Sequence, residues 1–85
     1  MEKTRPDVAM KELAMMLMYL SRIVEKGASI PYAWKGYDFQ VLNDLDADGC
    51  IDQGRYGTKR AYILDKGVDY ARSLLAKYGI EDWQV

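Results

Sequence analysis

Apolar residues recur at helical spacing in three parts of the chain. The first part runs from a capping residue at Thr4 to about Lys26, the second from about Asp38 to Ala47, and the third from a cap at Asp65 to Gly79. In the first part, one face collects Met10, Leu13, Leu17, Leu20 and Val24. Spacings of three and four residues place side chains on one side of an α-helix. The pattern therefore predicts three helices, of which the first is the longest.

Two short segments between the second and third helices have the pattern of strands. They are residues 50–53 and 59–64, and a loop with two glycines, residues 54–58, joins them. A glycine-bearing loop of this length between two short strands is typical of a β-hairpin. Residues 28–37 contain Pro31, which disfavours helix before it, and are interpreted as a linker. The predicted class is α+β, in the order long helix, second helix, two-stranded hairpin, C-terminal helix.

The apolar residues of the later segments predict which side chains enter the core. We expect the second helix to bury Phe39, Leu42 and Leu45, together with Val41. Trp34, just before this helix, is expected to join the core rather than a ligand site. Trp83 is expected to pack back onto the domain, because a tryptophan left in water forgoes a large gain from burial.

The first helix is apolar around nearly its whole circumference. Its second set of apolar residues comprises Met15, Met16, Met18, Tyr19 and Ile23. A surface helix needs one apolar stripe, and this helix has nearly two. Either the domain folds over both sides of the helix, or the second face packs on another copy of the chain. In the second case the interface of a homodimer is formed by Met15, Met16, Tyr19 and Ile23.

The composition of the 85 residues limits the classes of function. With 49% hydrophobic and 29% charged residues, the chain is typical of one soluble globular domain covering residues 1–85. Its 12 basic and 13 acidic residues give a net charge of -1. A nucleic-acid-binding protein usually has a clear basic excess, so this balance disfavours strong nonspecific binding but leaves room for a local basic patch.

Cysteine content and the N-terminal residues predict a cytoplasmic protein. Cys50 is the single cysteine and cannot form an internal disulfide, which suits a reducing compartment. The first seven residues are charged and do not resemble a signal peptide. The apolar run of residues 13–20 is much shorter than the ~20 residues needed to span a bilayer. We therefore expect no membrane association.

The side chains that usually carry catalysis are absent or lack a partner. The sequence has no histidine, which removes the commonest general base and a common metal ligand. Cys50, Ser21 and Ser29 have no evident base to activate them as nucleophiles. We therefore expect a non-enzymatic protein without a cofactor.

One segment has the spacing of half a calcium-binding loop. Asp44, Asp46 and Asp48 would stand at the first, third and fifth positions, with Gly49 at the sixth. The twelfth position of such a loop needs a bidentate carboxylate, and Arg55, a cation, stands there. Aspartates and a glycine also commonly end a helix. Calcium binding through these three aspartates is therefore kept only as a minor alternative, and no metal site is predicted.

Two motifs from residue 42 to residue 67 carry a resemblance to a known class of domain. They are Leu42-x-x-Leu45-x-x-x-Gly49-x-Ile51 and Tyr62-x-Leu64-Asp65-x-Gly67. Together they resemble the winged helix-turn-helix domains of bacterial regulators, and most nearly a small uncharacterised bacterial family of that type. The resemblance covers about residues 33–79. It implies a winged-helix-like α+β fold in which the second helix is the recognition helix and the hairpin is the wing.

The resemblance implies a non-enzymatic module that binds double-stranded DNA in the manner of a transcriptional regulator, and the second apolar face of the first helix predicts that it is a dimer. The residues expected to contact phosphates are Lys35, Arg55, Lys59 and Arg60, and those expected to reach bases are Gln40 and Asn43. The alternative is a protein-interaction module that keeps the winged shape without binding DNA. The near-neutral charge and the acidic residues of the second helix favour this alternative.

Overall fold

Three helices and three strands follow one another in the part of the chain that the computed structural model describes, residues 5–54 and 59–84. The helices are α1 (Pro6–Leu20), α2 (Phe39–Ala47) and α3 (Asp65–Tyr78). The strands are β1 (Tyr32–Trp34), β2 (Ile51–Asp52) and β3 (Arg60–Ile63). The predicted α+β class is therefore confirmed. None of the helices in these ranges is long and apolar enough to cross a membrane.

The strands form an antiparallel sheet in the order β1-β3-β2. The predicted hairpin is confirmed, because Ile51 of β2 lies opposite Ile63 of β3. The prediction of only two strands was wrong, since β1 lies in the segment interpreted as a linker and places Ala33 opposite Ala61. Only three residues form β1, and it is held by pairing with a strand distant in sequence, which the local pattern does not reveal.

α1 ends at Leu20, six residues before the predicted end. The hydroxyl of Ser21 donates to the Leu17 carbonyl at 2.7 Å, and the chain then leaves the helix. Ile23 pairs with Tyr32 through two backbone hydrogen bonds of 2.7 and 3.0 Å, which brings this segment to the sheet. Gly27 has a φ of 85° but lies in the turn between Ile23 and Tyr32, not at the helix end. The predicted cap at Thr4 lies outside the described residues.

The ends of α2 and α3 agree with the prediction to within one residue. The Asp38 carboxylate caps α2 by accepting from the backbone N–H groups of Gln40 and Val41 at 3.0 and 3.3 Å. Gly79 ends α3 with a φ of 67°, a conformation that favours glycine. Asp65 is the first residue of α3 and not its cap, so its contribution is a negative charge in the first helical turn.

The core lies where α1 packs against α2, α3 and the sheet. Its largest fully buried side chains are Tyr19, Met15, Met18, Leu45, Ile51 and Ile63. Leu42 and Leu45 are buried as predicted, but Phe39 is 81% exposed. Val41 joins the leucines in the buried stripe of α2, and this turns Phe39 away from the core. Trp34 is also exposed, because its neighbour Ala33 takes the inward position of β1 and side chains alternate along a strand.

The second apolar face of α1, not the first, is the one that enters the core. Met15, Met16 and Tyr19, expected at a dimer interface, are buried within a single chain. Ile23, the fourth residue of that set, lies beyond α1 and is partly buried in its bridge to Tyr32. The burial of Met15, Met16 and Tyr19 contradicts their assignment to a dimer interface, because three-dimensional packing selects a face that periodicity alone could not identify. The assignment of Ile23, which is partly buried, stays a prediction.

The first turn of α3 packs against Cys50, the residue before β2, and leaves no room there for a side chain. A Cβ atom added to Gly67 would lie 2.1 Å from the backbone oxygen of Cys50 and 3.2 Å from a methyl carbon of Ile63. The same Cys50 oxygen accepts a hydrogen bond of 3.0 Å from the backbone N–H of Leu64. Gly67 therefore allows α3 to start directly against the sheet.

The C-terminal residues close over the end of α1. The Leu20 carbonyl accepts hydrogen bonds from the Trp83 indole at 2.6 Å and from the Gln84 side chain at 2.9 Å. Trp83 itself remains largely exposed, so the expectation that it packs back was wrong. It is held by its indole N–H, which satisfies a carbonyl that the helix end leaves free.

A bidentate ion pair holds the C-terminal residues against the domain. The Arg22 guanidinium donates to both carboxylate oxygens of Asp82, at 3.1 and 2.9 Å, and lies 4.1 Å above the ring of Tyr19. Both charged side chains are largely buried. The hydrogen bonds from Arg22, helped by the backbone N–H of Gln84, hold the pKa of the Asp82 carboxyl below its ordinary value.

We expect Gly67→Ala to destabilise the protein by about 2 kcal/mol or more, because the added methyl group overlaps the Cys50 carbonyl. In an unobstructed helix the same change stabilises by roughly 1 kcal/mol. Urea denaturation followed by circular dichroism measures the difference. Gly36→Ala is the control, since a Cβ there meets nothing within 4 Å, and it should be nearly neutral. A Gly67→Ala variant as stable as the wild type would contradict this account.

We expect Asp82→Asn to lower the melting temperature by on the order of 5 °C at pH 7. Because the pKa of Asp82 is depressed in the folded state, the ion pair stabilises above the ordinary carboxyl pKa. This contribution is lost as the pH falls through the folded pKa. Melting curves from pH 7 downward should therefore show the gap between variant and wild type narrowing once the pH falls below the ordinary carboxyl pKa. Asp69→Asn, on the exposed side of α3, is the control, and an unchanging gap for Asp82→Asn would count against the ion pair.

Candidate functional site

The residues predicted to contact nucleic acid fall into two groups in the structure. Lys35, Lys59 and Arg60 lie together where β1 and β3 meet, whereas Gln40 and Asn43 lie on the exposed side of α2. The sixth predicted residue, Arg55, lies outside the described residues, as does the rest of the loop at positions 55–58.

The basic group is formed by direct pairing of the backbone. The Lys35 N–H donates to the Lys59 carbonyl at 2.8 Å, and Arg60 lies opposite Trp34 in the register of the sheet. The two lysines are therefore neighbours in space although distant in sequence, and they lie beside an exposed tryptophan, Trp34. This arrangement is a short basic edge with one aromatic side chain.

Arg60 is engaged by groups that the sequence did not identify. Its guanidinium lies 2.8 Å from a carboxylate oxygen of Glu25 and 4.2 Å from the centre of the Tyr32 ring. Glu25 reaches Arg60 because the turn between Ile23 and Tyr32 folds this part of the chain beside the sheet. The contact neutralises part of the positive charge of the basic edge, and no local sequence signal predicts it.

The amide side chains of α2 already have partners. The Gln40 amide donates to Asp44 at 2.9 Å, and the Asn43 oxygen accepts from the Gln53 amide at 3.1 Å. Asp38 caps α2 and Asp44 lies within it, and their charges would repel phosphates at a groove. Gln40 and Asn43 are therefore poorly placed to contact bases.

The three aspartates of the calcium interpretation point to three different partners. Asp44 accepts from Gln40, Asp46 accepts from the backbone N–H of Gln53 at 3.1 Å, and Asp48 pairs with Lys11. Across residues 5–54 and 59–84, no group of three acidic, cysteine or histidine side chains is placed to hold a metal ion. The geometry gives the calcium alternative no support.

A polar depression of about 420 Å³ lies beside the Lys11–Asp48 pair. The hydrogen bond from Lys11 lowers the pKa of Asp48, so this carboxyl stays ionised. Cys50 also lines the depression, and burial raises the pKa of its thiol. A thiol that stays protonated is a poor nucleophile.

The outer face of α1 is the most unusual surface of the molecule. Leu13 is 62% exposed, Leu17 54% and Met10 47%, and all three lie on one side of the helix. These residues belong to the face that periodicity identified first, and the opposite side of the same helix is the buried one. We call Met10, Leu13 and Leu17 the α1 seam.

Charged side chains are kept away from the α1 seam. After Asp7, the helix carries only Lys11 and Glu12 as charged residues. Lys11 turns to one flank, where it pairs with Asp48. Glu12 turns to the other flank, where its carboxylate accepts from the Tyr78 hydroxyl at 3.0 Å. The seam between them is therefore apolar and uncharged.

An apolar cavity lies on each side of the α1 seam. One, of about 240 Å³, lies between α1 and the start of α2, and the other, of about 270 Å³, lies between α1 and the end of α3. Leu13 lines both cavities and stands as a ridge between them. Tyr37, Val41 and Asp38 also line the cavity on the α2 side, and Tyr78, Ile80 and Glu12 line the cavity on the α3 side. A ridge flanked by two hollows can interlock with another surface.

The fold and its surfaces define a small α+β domain with a three-stranded antiparallel sheet, a short basic edge and an exposed apolar helix face. The family described as Domain of unknown function (DUF6429) matches residues 7–81, and the chain belongs to this family. No curated protein and no solved structure matches the chain. The resemblance to winged-helix regulators therefore remains a proposal.

Proposed function

We propose that this chain is a non-enzymatic protein-interaction module on a winged-helix-like scaffold, and that the α1 seam is its binding surface. The observation that carries the proposal is the exposure of Leu13 and Leu17 on a helix side without charged residues. Large apolar surfaces of this kind on small domains mark interaction sites.

The energetics of the seam favour a covered state. Burying the exposed part of Leu13, Leu17 or Met10 is worth on the order of 1 kcal/mol for each side chain. The two cavities beside the ridge would be filled in the same event, which adds packing contacts. Among the described residues, no other part of the chain covers the side chains of the seam, which stay exposed to water.

The scaffold also favours a protein partner. The antiparallel hairpin between α2 and α3 supports the winged-helix-like description, since a two-stranded wing in this position is what the resemblance implies. The exposed side of α2, however, carries Asp38 and Asp44 and amides that already have partners. A nucleic-acid phosphate would meet like charge there.

A photo-crosslinking residue in place of Leu13 tests the proposed surface. A benzophenone side chain is apolar and should occupy the exposed ridge without disturbing the core, so irradiation of cells that make the variant should give a covalent adduct with a partner protein. Denaturing electrophoresis and mass spectrometry measure the adduct. The control carries the same group at Asn43, on the exposed side of α2. Absence of an adduct at position 13, or equal adducts at both positions, would sink the proposal.

A second candidate function is nucleic-acid binding at the basic edge, as in winged-helix regulators. Its support is the hydrogen bond that places Lys35 beside Lys59, next to Arg60 and the exposed Trp34. Lysines at the ends of adjacent strands can contact successive phosphates, and an exposed aromatic ring can stack on a base. The Glu25 carboxylate at Arg60 and the net charge of -1 weaken this candidate.

A titration of duplex DNA at two salt concentrations tests the second candidate. If phosphates are contacted, affinity should fall steeply with salt, and Lys35→Glu with Lys59→Glu should abolish binding, since each lost contact removes a counterion-release term. Fluorescence anisotropy of labelled DNA measures the affinity. The control double variant, Arg5→Glu with Lys77→Glu, changes the net charge equally at exposed sites elsewhere. Absence of binding at low salt would rule out this candidate.

A further inference from the structure

We propose that the partner of the α1 seam is a second copy of this chain, bound through an antiparallel pair of α1 helices about a two-fold axis. The inference rests on the proposed function and names its partner. It also differs from the dimer that the sequence predicted, because Met15, Met16 and Tyr19 are buried and the seam lies on the opposite side of the helix.

The shape of the seam is complementary to itself. In a two-fold interface the same patch serves on both partners, so each patch must offer both a protrusion and a hollow. The exposed ridge of Leu13 and Leu17 is the protrusion. The cavity of about 240 Å³ lined by Tyr37 and Val41 is a hollow large enough to admit a leucine side chain. One surface therefore contains both parts of the contact.

The charge distribution meets a second requirement of a two-fold axis. A charged side chain near the axis would face its own copy and be repelled by it. The side chains of the seam carry no charge, because Lys11 and Glu12 are both drawn to the flanks by partners in their own chain. Asp38, which lines the adjoining cavity, is likewise engaged within its own chain, where its carboxylate caps α2. An unrelated partner would not require this neutrality, since a complementary charge could be supplied from its side.

The spacing along α1 is that of a helix-pairing surface. Met10, Leu13 and Leu17 are separated by three and four residues, the alternation that places a narrow apolar stripe against another helix. The occupant must therefore present a matching helical stripe, and α1 of a second copy presents this stripe. In the antiparallel orientation the two helix dipoles also lie side by side in opposite directions, so that the N-terminus of each helix is beside the C-terminus of the other.

The exposed area is sufficient for a weak dimer. The seam together with Tyr78 and Ile80 leaves roughly 500 Å² of apolar surface per chain, so a pair would bury about 1,000 Å² in total, near the lower limit of specific interfaces. An interface of this size requires nearly the whole patch. We therefore expect a dissociation constant in the micromolar range.

Sedimentation equilibrium of the full chain tests the dimer. The wild type should change from a mass of 9.8 kDa towards twice that value as its concentration rises from about 10 μM to about 500 μM. Leu13→Glu with Leu17→Glu should remain at the lower mass throughout, since two carboxylates would face their copies at the axis. Val24→Glu is the matched control, because Val24 is 56% exposed outside α1 and its change should leave the dimer intact.

The outcomes separate this inference from the proposed function. A wild type that stays at 9.8 kDa, or a dimer that persists in the double variant, overturns the second copy as partner. If the crosslinker at position 13 then captures a different protein, the interaction module still stands. If it captures nothing, both fail.

Circular dichroism checks that each variant is folded. If the double variant unfolds, Leu13→Ser replaces it, a smaller change that is expected to raise the dissociation constant at least tenfold.

Discussion

The close approach of α3 to the Cys50 carbonyl fixes the positions of the other elements. Gly67 leaves room only for a hydrogen atom against this oxygen, and the Leu64 N–H binds the same oxygen, so α3 cannot shift along the sheet. β3, which leads directly into α3, is the central strand. α1 packs on α3 with its methionine and tyrosine side, and the orientation of the α1 seam towards solvent follows from that packing.

The surfaces available for function are those left after the chain has satisfied its own charges. Lys11, Glu12 and Arg22 all bind groups within the chain, and Arg60 is held by Glu25 and an aromatic ring. A network of this kind leaves little free positive charge for a nucleic-acid backbone. It leaves the apolar side of α1 without a partner, and for this reason we place the interaction there.

Local signals predicted the elements well and their packing poorly. Asp38 and Gly79 mark helix ends through contacts within a few residues, so the bounds of α2 and α3 were predictable. The end of α1 depends on the pairing of Ile23 with Tyr32, which no local pattern encodes. The same limit applies to the site: pairing of β1 with β3 groups the predicted basic residues, whereas the choice of buried face on α1 depends on the whole domain. Because α1 has apolar residues around nearly its whole circumference, its periodicity does not identify which face is buried.

The distribution of thioethers along α1 has a consequence for oxidative chemistry. Of its four methionines, Met15, Met16 and Met18 are buried, whereas Met10 is about half exposed. An oxidant arriving from solvent therefore reaches Met10 first. Conversion to the sulfoxide would introduce a polar group on the outside of the helix while the interior sulfur atoms stay reduced. Reductase repair could reverse that change without unfolding the domain, so the stability of the fold and the polarity of its outer helix face respond separately to redox conditions.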